Sequence, residues 1–600
     1  MIFLKSVLLF FLFSLCVKSE DNKYTNGSVP TILAALSSNL LGNSSNNPIL
    51  EALSRNGTFE CLQSVKAIQN GIIKGESWAI QFLDANPSMR AGFFDVFDMA
   101  YSHFDECIHI LPRTSNISFH GRHCWGALPV SMTNFYKLNT KIFPNSKKTK
   151  KETEEYTVVR PLFEGISDTV ATFTFCIPST CEPEPMQNAL REILSTNITL
   201  KSGMCYQDPS LEPLDVAVLG IFAIWFIIII VATIHDSITL DKKESRIPLL
   251  ISFSAYANLK YLLKEDKRNQ RMYFLNGLKV LSTFTVIFGH RHFIFYSKLI
   301  HNKQDLLAFF GGNDTMEIFG LSFSVDTFLV ASGFILTLLI QSKLQQGKSM
   351  NVVEICVRRY VRLTVPLAAM VLCHVSLLKF VYQVSQWPLL SKLAEKNCKL
   401  YWWSCLLYVQ NILNPMELCI GQSWYLNVDM QLFYITPLIL ILLHRFPRRA
   451  CYGLLGLIVV STSYTFYVCW KYKIKAYAIG VEGGHESNIY LASYYCITFT
   501  RMSPYLIGIL VAKFMDRKQP YLNKFTASLL WAVALFLLVV SWIGFQDLIK
   551  RQQPYNKLHH SAYNALIRLV WAIGLSIMIH VCYHGYGGII VNITALFTVD

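Results

Sequence analysis

Charge is scarce in this sequence. Only 16% of its 600 residues are Asp, Glu, Lys or Arg, while 52% are apolar, and the mean hydropathy is +0.35. A soluble multidomain protein needs more polar surface than that. Acidic residues are the scarcer half, 39 against 54 basic, for a net charge of +15. An excess of that size suits nucleic acid only when it gathers into a patch or motif. Here the basic residues sit in short clusters beside apolar blocks, where they act as a topology signal, so no nucleic-acid partner is expected. Metal-ligand spacing is missing as well. The amino-terminal third contains cysteines and histidines but no CxxC or HxxxH, so no metal is expected.

What is present begins with a targeting segment. Met1–Ser19 has Lys5 near its start, an apolar stretch from Val7 to Val17, and Ser19 at a cleavage position. This reads as a secretory signal peptide, because the stretch is shorter than the roughly 20 residues a span needs. Residues 20–214 contain no spanning stretch and are placed outside the cytosol as one domain. Five N-glycosylation sequons fall there, at Asn26, Asn43, Asn56, Asn116 and Asn197. So do Cys61, Cys107, Cys124, Cys176, Cys181 and Cys205, which an oxidising compartment turns into three disulfides. Six cysteines allow 15 pairings, and the sequence does not choose among them. Apolar periodicity at Leu62, Val65, Ile68 and Ile72, and again at Met186, Leu190 and Ile193, points to helices.

The rest of the chain alternates between apolar blocks and basic clusters. The first span is expected at 215–234, followed by a cytosolic linker, 235–272, carrying Lys242, Lys243, Arg246, Lys264, Lys267, Arg268 and Arg271. Eight further spans are expected at 274–296, 318–341, 359–382, 424–444, 451–470, 493–514, 526–545 and 563–583. If they alternate, Arg358, Arg359 and Arg362, then Arg445, Arg448 and Arg449, then Arg517 and Lys518 all fall in the cytosol. The sequon at Asn313 then lies outside. Between the spans ending at 382 and starting at 424, an exoplasmic loop holds Cys398, Cys405 and Cys419. A Cys398–Cys419 bond is expected to close that loop, leaving Cys405 as a thiol. The fold class is therefore mainly α: a disulfide-bonded helical domain outside the cytosol, then a multi-pass helical transmembrane bundle, in the plasma membrane or endoplasmic reticulum.

Ionisable groups inside spans are costly and mark candidate sites. Lys279 and His290 stand eleven residues apart on one span, close to three whole turns, so they share a face about 16 Å apart along the axis. A histidine in a span is more often a packing residue than a base. Asp326 and Asp429 also lie within spans, where they can orient the histidine, pair with Lys279 or hold helices together.

These residues fall into motifs. Lys279 and His290, followed by Arg359-Tyr-Val-Arg362, resemble the paired motifs of the acyltransferase-3 family of membrane O-acyltransferases. The segment from Val325-Asp326 to Ser332-Gly333-Phe334 is similar to that family's third segment. Cys419-Ile-Gly-Gln-Ser-Trp424 with Asp429 and Gln431 resembles the eukaryotic "nose resistant to fluoxetine" branch. So do Phe104-Asp-Glu-Cys107, Gly121-Arg-His-Cys124 and Cys176-Ile-Pro-Ser-Thr-Cys181, which look like the amino-terminal domain of that branch. In this likeness residues 273–600 form the acyltransferase domain without its last one or two spans, and Cys405 stands where relatives carry asparagine. The resemblance implies transfer of an acyl group from cytosolic acyl-CoA to a hydroxyl acceptor, with membrane lipids as surroundings and no bound cofactor. His290 would be the base, Lys279, Arg359 and Arg362 would hold the donor, and Asp326, Ser332, Trp424 and Asp429 would support them. The alternative is a non-enzymatic carrier or receptor for lipids or hydrophobic drugs.

Overall fold

The computed structural model describes residues 48–86, 99–100, 102–112, 118–129, 170–194, 199–239, 247–263, 273–296, 323–347, 351–381, 387–476, 489–515, 522–544 and 555–587. The expected signal segment and the sequons at Asn26, Asn43, Asn116, Asn197 and Asn313 lie outside these residues. Asn56 closes a helix. The chain divides into two compact units, Met1–Gln207 and Asp208–Asp600.

The first unit contains helices α1 (Pro48–Asn56), α2 (Phe59–Lys74), α3 (Ser77–Asp84), α4 (Phe104–His109) and α5 (Pro183–Leu194). Thr58 caps α2 by accepting from the Cys61 amide, and Gly75 ends it in the left-handed conformation with φ 72°. The periodic residues Val65 and Ile68 are buried on one face of α2, as their spacing requires. Alongside the helices stands a sheet that periodicity did not reveal. Strands β1 (Met99–Ala100), β2 (Gly121–Pro129), β3 (Val170–Pro178) and β4 (Thr199–Cys205) are ordered β1-β3-β2-β4. The β2–β3 pair is antiparallel over nine residues, from Gly121 opposite Pro178 to Pro129 opposite Val170. The mainly helical class holds for the chain, while this unit mixes helix and sheet.

Its six cysteines form three bonds: Cys61–Cys181, Cys107–Cys176 and Cys124–Cys205. Each ties a different pair of elements. Cys61 joins α2 to the turn after β3, Cys107 joins α4 to β3, and Cys124 and Cys205 face each other across β2 and β4. One apolar cluster of the unit gathers Ile68, Trp78, Phe82, Ile110 and Phe119 around Cys107 and Cys176, and the three bonds add cross-links that constrain the unfolded chain.

Among the described residues of the second unit, eight helices are long and apolar enough to cross a membrane, and the protein is a multi-pass membrane protein. They are α6 (Pro213–Ile238); α8 (Phe323–Gln345); α9 (Val352–Leu372), extended by wider turns to Val381; α11 (Trp424–Arg445); α12 (Pro447–Tyr472); α13 (Thr498–Phe514), preceded by a wide turn at Tyr490–Tyr495; α14 (Lys524–Ile543); and α15 (Lys557–Tyr583). A ninth expected span is α7 (Tyr273–Tyr296), a helix of 24 residues. It is long enough to cross but less apolar than the eight, because Asn276, Lys279, His290, Arg291 and His292 interrupt it. Between α9 and α11 lies α10 (Trp387–Leu406).

The expected fourth span also shifts. Helix α9 starts at Val352, capped by Asn351 accepting from the Glu354 amide, rather than at Arg359. Its three arginines therefore sit about two to three turns inside the helix, not at its end. Sequence reading placed the boundary at the charges, whereas the cap and an acidic first-turn residue begin the helix earlier.

Helices α8 and α13 are buried on nearly every side, and the main core gathers around them from α7, α11, α12, α14 and α15. Helix α6 is the opposite: Ile224, Phe226 and Val231 are exposed and only scattered small or polar positions are buried, as for a helix surrounded by lipid. Its amino end is anchored by Asp215, which pairs with Lys379 at 2.8 Å. The α8–α13 crossing is unusually close. A Cβ on Gly333 would lie 2.3 Å from the Tyr505 carbonyl oxygen, and one on Gly508 would lie 2.3 Å from the Val330 carbonyl oxygen. Each glycine thus makes room for the other helix's backbone, the small-residue packing typical of helices in lipid.

Candidate functional site

The close crossing sets two buried carboxylates in place. Asp326, on the first turn of α8, accepts from Arg501 of α13 at 3.0 Å, and Arg568 of α15 comes within 3.9 Å of its other oxygen. The three side chains are 1%, 1% and 6% exposed. One carboxylate therefore serves two guanidiniums. The remaining positive charge is spread over aromatic faces: Arg501 lies 5.1 Å from the Trp424 ring and 4.5 Å from Tyr495, and Arg568 lies 4.2 Å from Tyr494. Arg501 also donates to the Tyr495 carbonyl and Arg568 to the Thr500 carbonyl. The cluster joins α8, α11, α13 and α15 into one body.

The second carboxylate, Asp429 of α11, is nearly as deep. It accepts from the Ser332 hydroxyl at 2.8 Å and forms an ion pair with Arg359 of α9. The Arg359 guanidinium lies over Phe433 at 4.3 Å. Asp326, Ser332, Trp424 and Asp429, all expected to support a site, are thus brought into its framework. Their partners differ from those expected. Neither carboxylate meets His290 or Lys279; a buried carboxylate pairs with the cation its helix packing delivers, and here those are arginines of α9, α13 and α15. Two of them, Arg501 and Arg568, escaped the sequence reading, as did Lys379. All three are basic residues inside apolar blocks, the signal that singled out Asp326 and Asp429.

The donor-binding candidates separate into two kinds. Arg359 is committed to Asp429, and Arg358 pairs one turn back with Glu354 on an exposed surface. Arg362, one turn beyond Arg358, is exposed and has no acidic partner among the described residues. Half-buried Lys279 of α7 is within electrostatic range of Arg362, although burial acts on it more strongly than that neighbour does. Lys279 also lacks an acidic partner among the described residues. Two cations within electrostatic range, neither with an acidic partner among the described residues, favour an anion nearby. His290 lies on the same unbroken helix as Lys279, about 16 Å further along. It is exposed, and no hydrogen bond or carboxylate orients it among the described residues.

The fourth disulfide is Cys398–Cys419, and Cys405 is a buried thiol, as the sequence led us to expect. Cys405 lies 3.7 Å from the Ser423 hydroxyl.

Residues 272–597 match the family described as "Acyltransferase domain", and residues 61–190 match the family described as "Nose resistant-to-fluoxetine protein, N-terminal domain". Among characterised proteins, the chain is similar to "Nose resistant to fluoxetine protein 6" of Caenorhabditis elegans, with 23% identity over 70% of this chain. It spans 57% of that protein's length. A shorter likeness, 31% identical over 16% of this chain and 21% of the relative, is to "Regulator of hypoxia-inducible factor 1" of the same organism. No solved structure matches the chain.

Proposed function

The chain belongs to the acyltransferase-domain family, and from that membership we propose that it moves an acyl group from cytosolic acyl-CoA to a hydroxyl acceptor at or across the membrane. The observation that carries this reading is that Lys279 and Arg362 lie within electrostatic range of each other and neither has an acidic partner among the described residues. Phosphate groups of a CoA donor supply the missing negative charge, and Arg362 offers a planar fork suited to phosphate oxygens. The Asp429–Arg359 pair stiffens α9 one turn before Arg362 and so holds the fork in position. His290, further along α7, removes the proton from the acceptor hydroxyl as the thioester carbonyl is attacked, and CoA leaves as its thiol. The acyl chain must then bridge the distance between the two ends of α7. Three disulfides in the first unit support its placement on the oxidising side of a secretory-pathway membrane, with Lys279 and Arg362 near the cytosolic face.

Purified protein with acyl-CoA tests the proposal directly. Lys279→Ala and Arg362→Ala are each expected to weaken donor binding by about 10- to 150-fold, the loss of one charged hydrogen bond. His290→Ala should leave donor binding intact and lower turnover by about 10²–10⁴-fold. Equal acyl-CoA binding by wild type and the Lys279→Ala/Arg362→Ala double variant would remove the basis of the reading.

One observation favours a second reading. A catalytic histidine is ordinarily oriented by a partner, and His290 has none among the described residues. A carrier for lipids or other hydrophobic molecules needs no such orientation. In that case His290→Ala retains full transport of ligand, and wild type releases no CoA thiol.

A further inference from the structure

Residues 400–416 contain no Asp, Glu, Lys, Arg or His, and are bounded by Lys399 and Glu417. As a loop in water, such a segment should bury its apolar side chains and expose its amides and hydroxyls. It does the reverse. Leu400, Trp402, Leu407, Ile412, Leu413 and Met416 are 42–60% exposed, while Ser404, Gln410 and Asn411 are 0% exposed. Polar groups inside and apolar groups outside is the arrangement demanded by hydrocarbon.

The depth of the segment agrees with its polarity. Helix α10 is kinked at Tyr401, where φ is −119° and ψ is 17°. Before the kink it carries Lys392, Glu395, Lys396 and Lys399; after it, only uncharged residues. The chain reverses at Tyr408, whose φ of 59° is left-handed, and returns through the short helix Gln410–Leu413. The Cys398–Cys419 bond fastens the two arms at the mouth. At the reversal, the Tyr408 hydroxyl meets Thr364 of α9 at 3.1 Å and its carbonyl accepts from Gln431 of α11 at 2.8 Å. Thr364 lies about 26 Å along the span from Val381, and Gln431 about 10 Å along α11 from Trp424. The reversal is therefore well inside the layer those helices cross. The tryptophans sit nearest the mouth, where the membrane interface favours aromatic rings, and Leu407, Ile412 and Leu413 sit near the reversal.

The inward side of the segment is closed by hydrogen bonds. Gln410 donates to Ser423 and accepts from the Cys419 amide at 3.3 Å. Asn411 donates to the Cys496 carbonyl at 3.1 Å and accepts from Gln431 at 2.9 Å. These amides need no water. The neighbouring helices expose apolar side chains too, Val361 and Val365 on α9 and Ile435 and Leu438 on α11, as spans in lipid do.

We propose that residues 400–416 form a re-entrant hairpin that enters the membrane from the side of the Cys398–Cys419 bond, with its outer face packed against phospholipid acyl chains. It corrects the expectation of a simple loop in the lumen between two spans, and it stands apart from the acyl-transfer reading. The test uses full-length protein carrying Leu407→Cys, Ile412→Cys or Lys396→Cys, with the partly exposed Cys356, Cys373 and Cys451 replaced by serine. Each variant is labelled with an environment-sensitive fluorophore in detergent and reconstituted in phosphatidylcholine vesicles. Doxyl-labelled phospholipid should quench positions 407 and 412 several-fold more than position 396, and iodide should do the opposite. Leu413→Cys replaces either site if its variant fails to remain monodisperse. Iodide quenching at 407 and 412 equal to that at 396 would place the hairpin in water. Failure of both quenchers to reach 407 and 412 would mean that protein covers this face. Either outcome overturns the proposal.

Discussion

Gly333→Ala should be among the most damaging small substitutions in the membrane unit. The new Cβ would lie 2.3 Å from the Tyr505 carbonyl oxygen, against 3.4 Å or more for an ordinary contact. No side chain can rotate away, because the obstacle is backbone, so α8 and α13 must separate by about 1 Å, with overpacking of this kind costing about 1–3 kcal/mol. The effect does not stay at the crossing. Asp326 lies two turns before Gly333 on the same face of α8, and Arg501 lies one turn before Tyr505 on α13. Opening the helices by that amount stretches their 3.0 Å contact to about 4 Å, beyond hydrogen-bonding distance. Adding part of a charged hydrogen bond brings the expected loss to about 2–5 kcal/mol. Gly508→Ala should act in the same way, and the double variant should cost less than the sum, since one separation relieves both clashes. Unfolding of detergent-solubilised protein in an SDS titration reads these values. If Gly333→Ala and Gly508→Ala both fall within about 0.5 kcal/mol of wild type, the helices do not meet as described.

Asp326→Ala leaves two guanidiniums buried without a carboxylate and should cost about 3–5 kcal/mol; in the same titration, adding Arg501→Met should restore part of that loss, and a further fall would show that charge balance is not what Asp326 supplies. His123, buried between Phe104 and Trp125 in the first unit, has its pKa lowered by desolvation from 6.5 to about 4. Its folded form resists protonation, so its contribution to stability is complete above pH 6.5 and is lost as pH falls through about 4, on the order of 3 kcal/mol in all. His123→Gln should flatten that acid limb in urea midpoints followed by tryptophan fluorescence, and an unchanged limb would assign the acid sensitivity to other groups. Serine at both Cys398 and Cys419 reopens a loop of 21 residues, expected to cost about 3 kcal/mol and to accelerate amide exchange in residues 400–416, whereas unchanged exchange would mean that the helices alone hold the hairpin.

The spans were legible because hydrocarbon imposes a length and a composition that few other constraints mimic. Pro213–Ile238 announces itself by an unbroken apolar centre. The Cys398–Cys419 bond was legible because only a few residues compete within one loop. The sheet of the first unit was not, since β2 and β3 meet across some fifty residues, and strands as mixed as Gly-Arg-His-Cys-Trp-Gly lack clean alternation. The reversal at Tyr408 was not legible for a related reason: at 17 residues segment 400–416 is too short to cross, and the partners of its Ser, Gln and Asn are distant in sequence. Asp326 and Asp429 could be picked out as buried charges, but which cation each would meet depends on how three other helices pack. Glycine at 333 likewise reads as a motif letter in sequence and as an approach distance only in space.

The three bonds of the first unit also carry a timetable. Each joins a cysteine from the earlier part of the unit, at 61, 107 or 124, to one from the later part, at 176, 181 or 205. No bond can close while only the first three have been synthesised, and any bond among those three is an error. At roughly 5–20 residues per second, Cys61 waits about 6–24 s for Cys181. Between the synthesis of Cys124 and that of Cys176 the nascent chain holds three of these thiols with no native partner yet made, and any early mispairing among them has to be undone by thiol–disulfide exchange. Slowed or stalled translation between 124 and 176 should therefore trap non-native disulfides in this protein, a failure set by the order of its cysteines rather than by the strength of its fold.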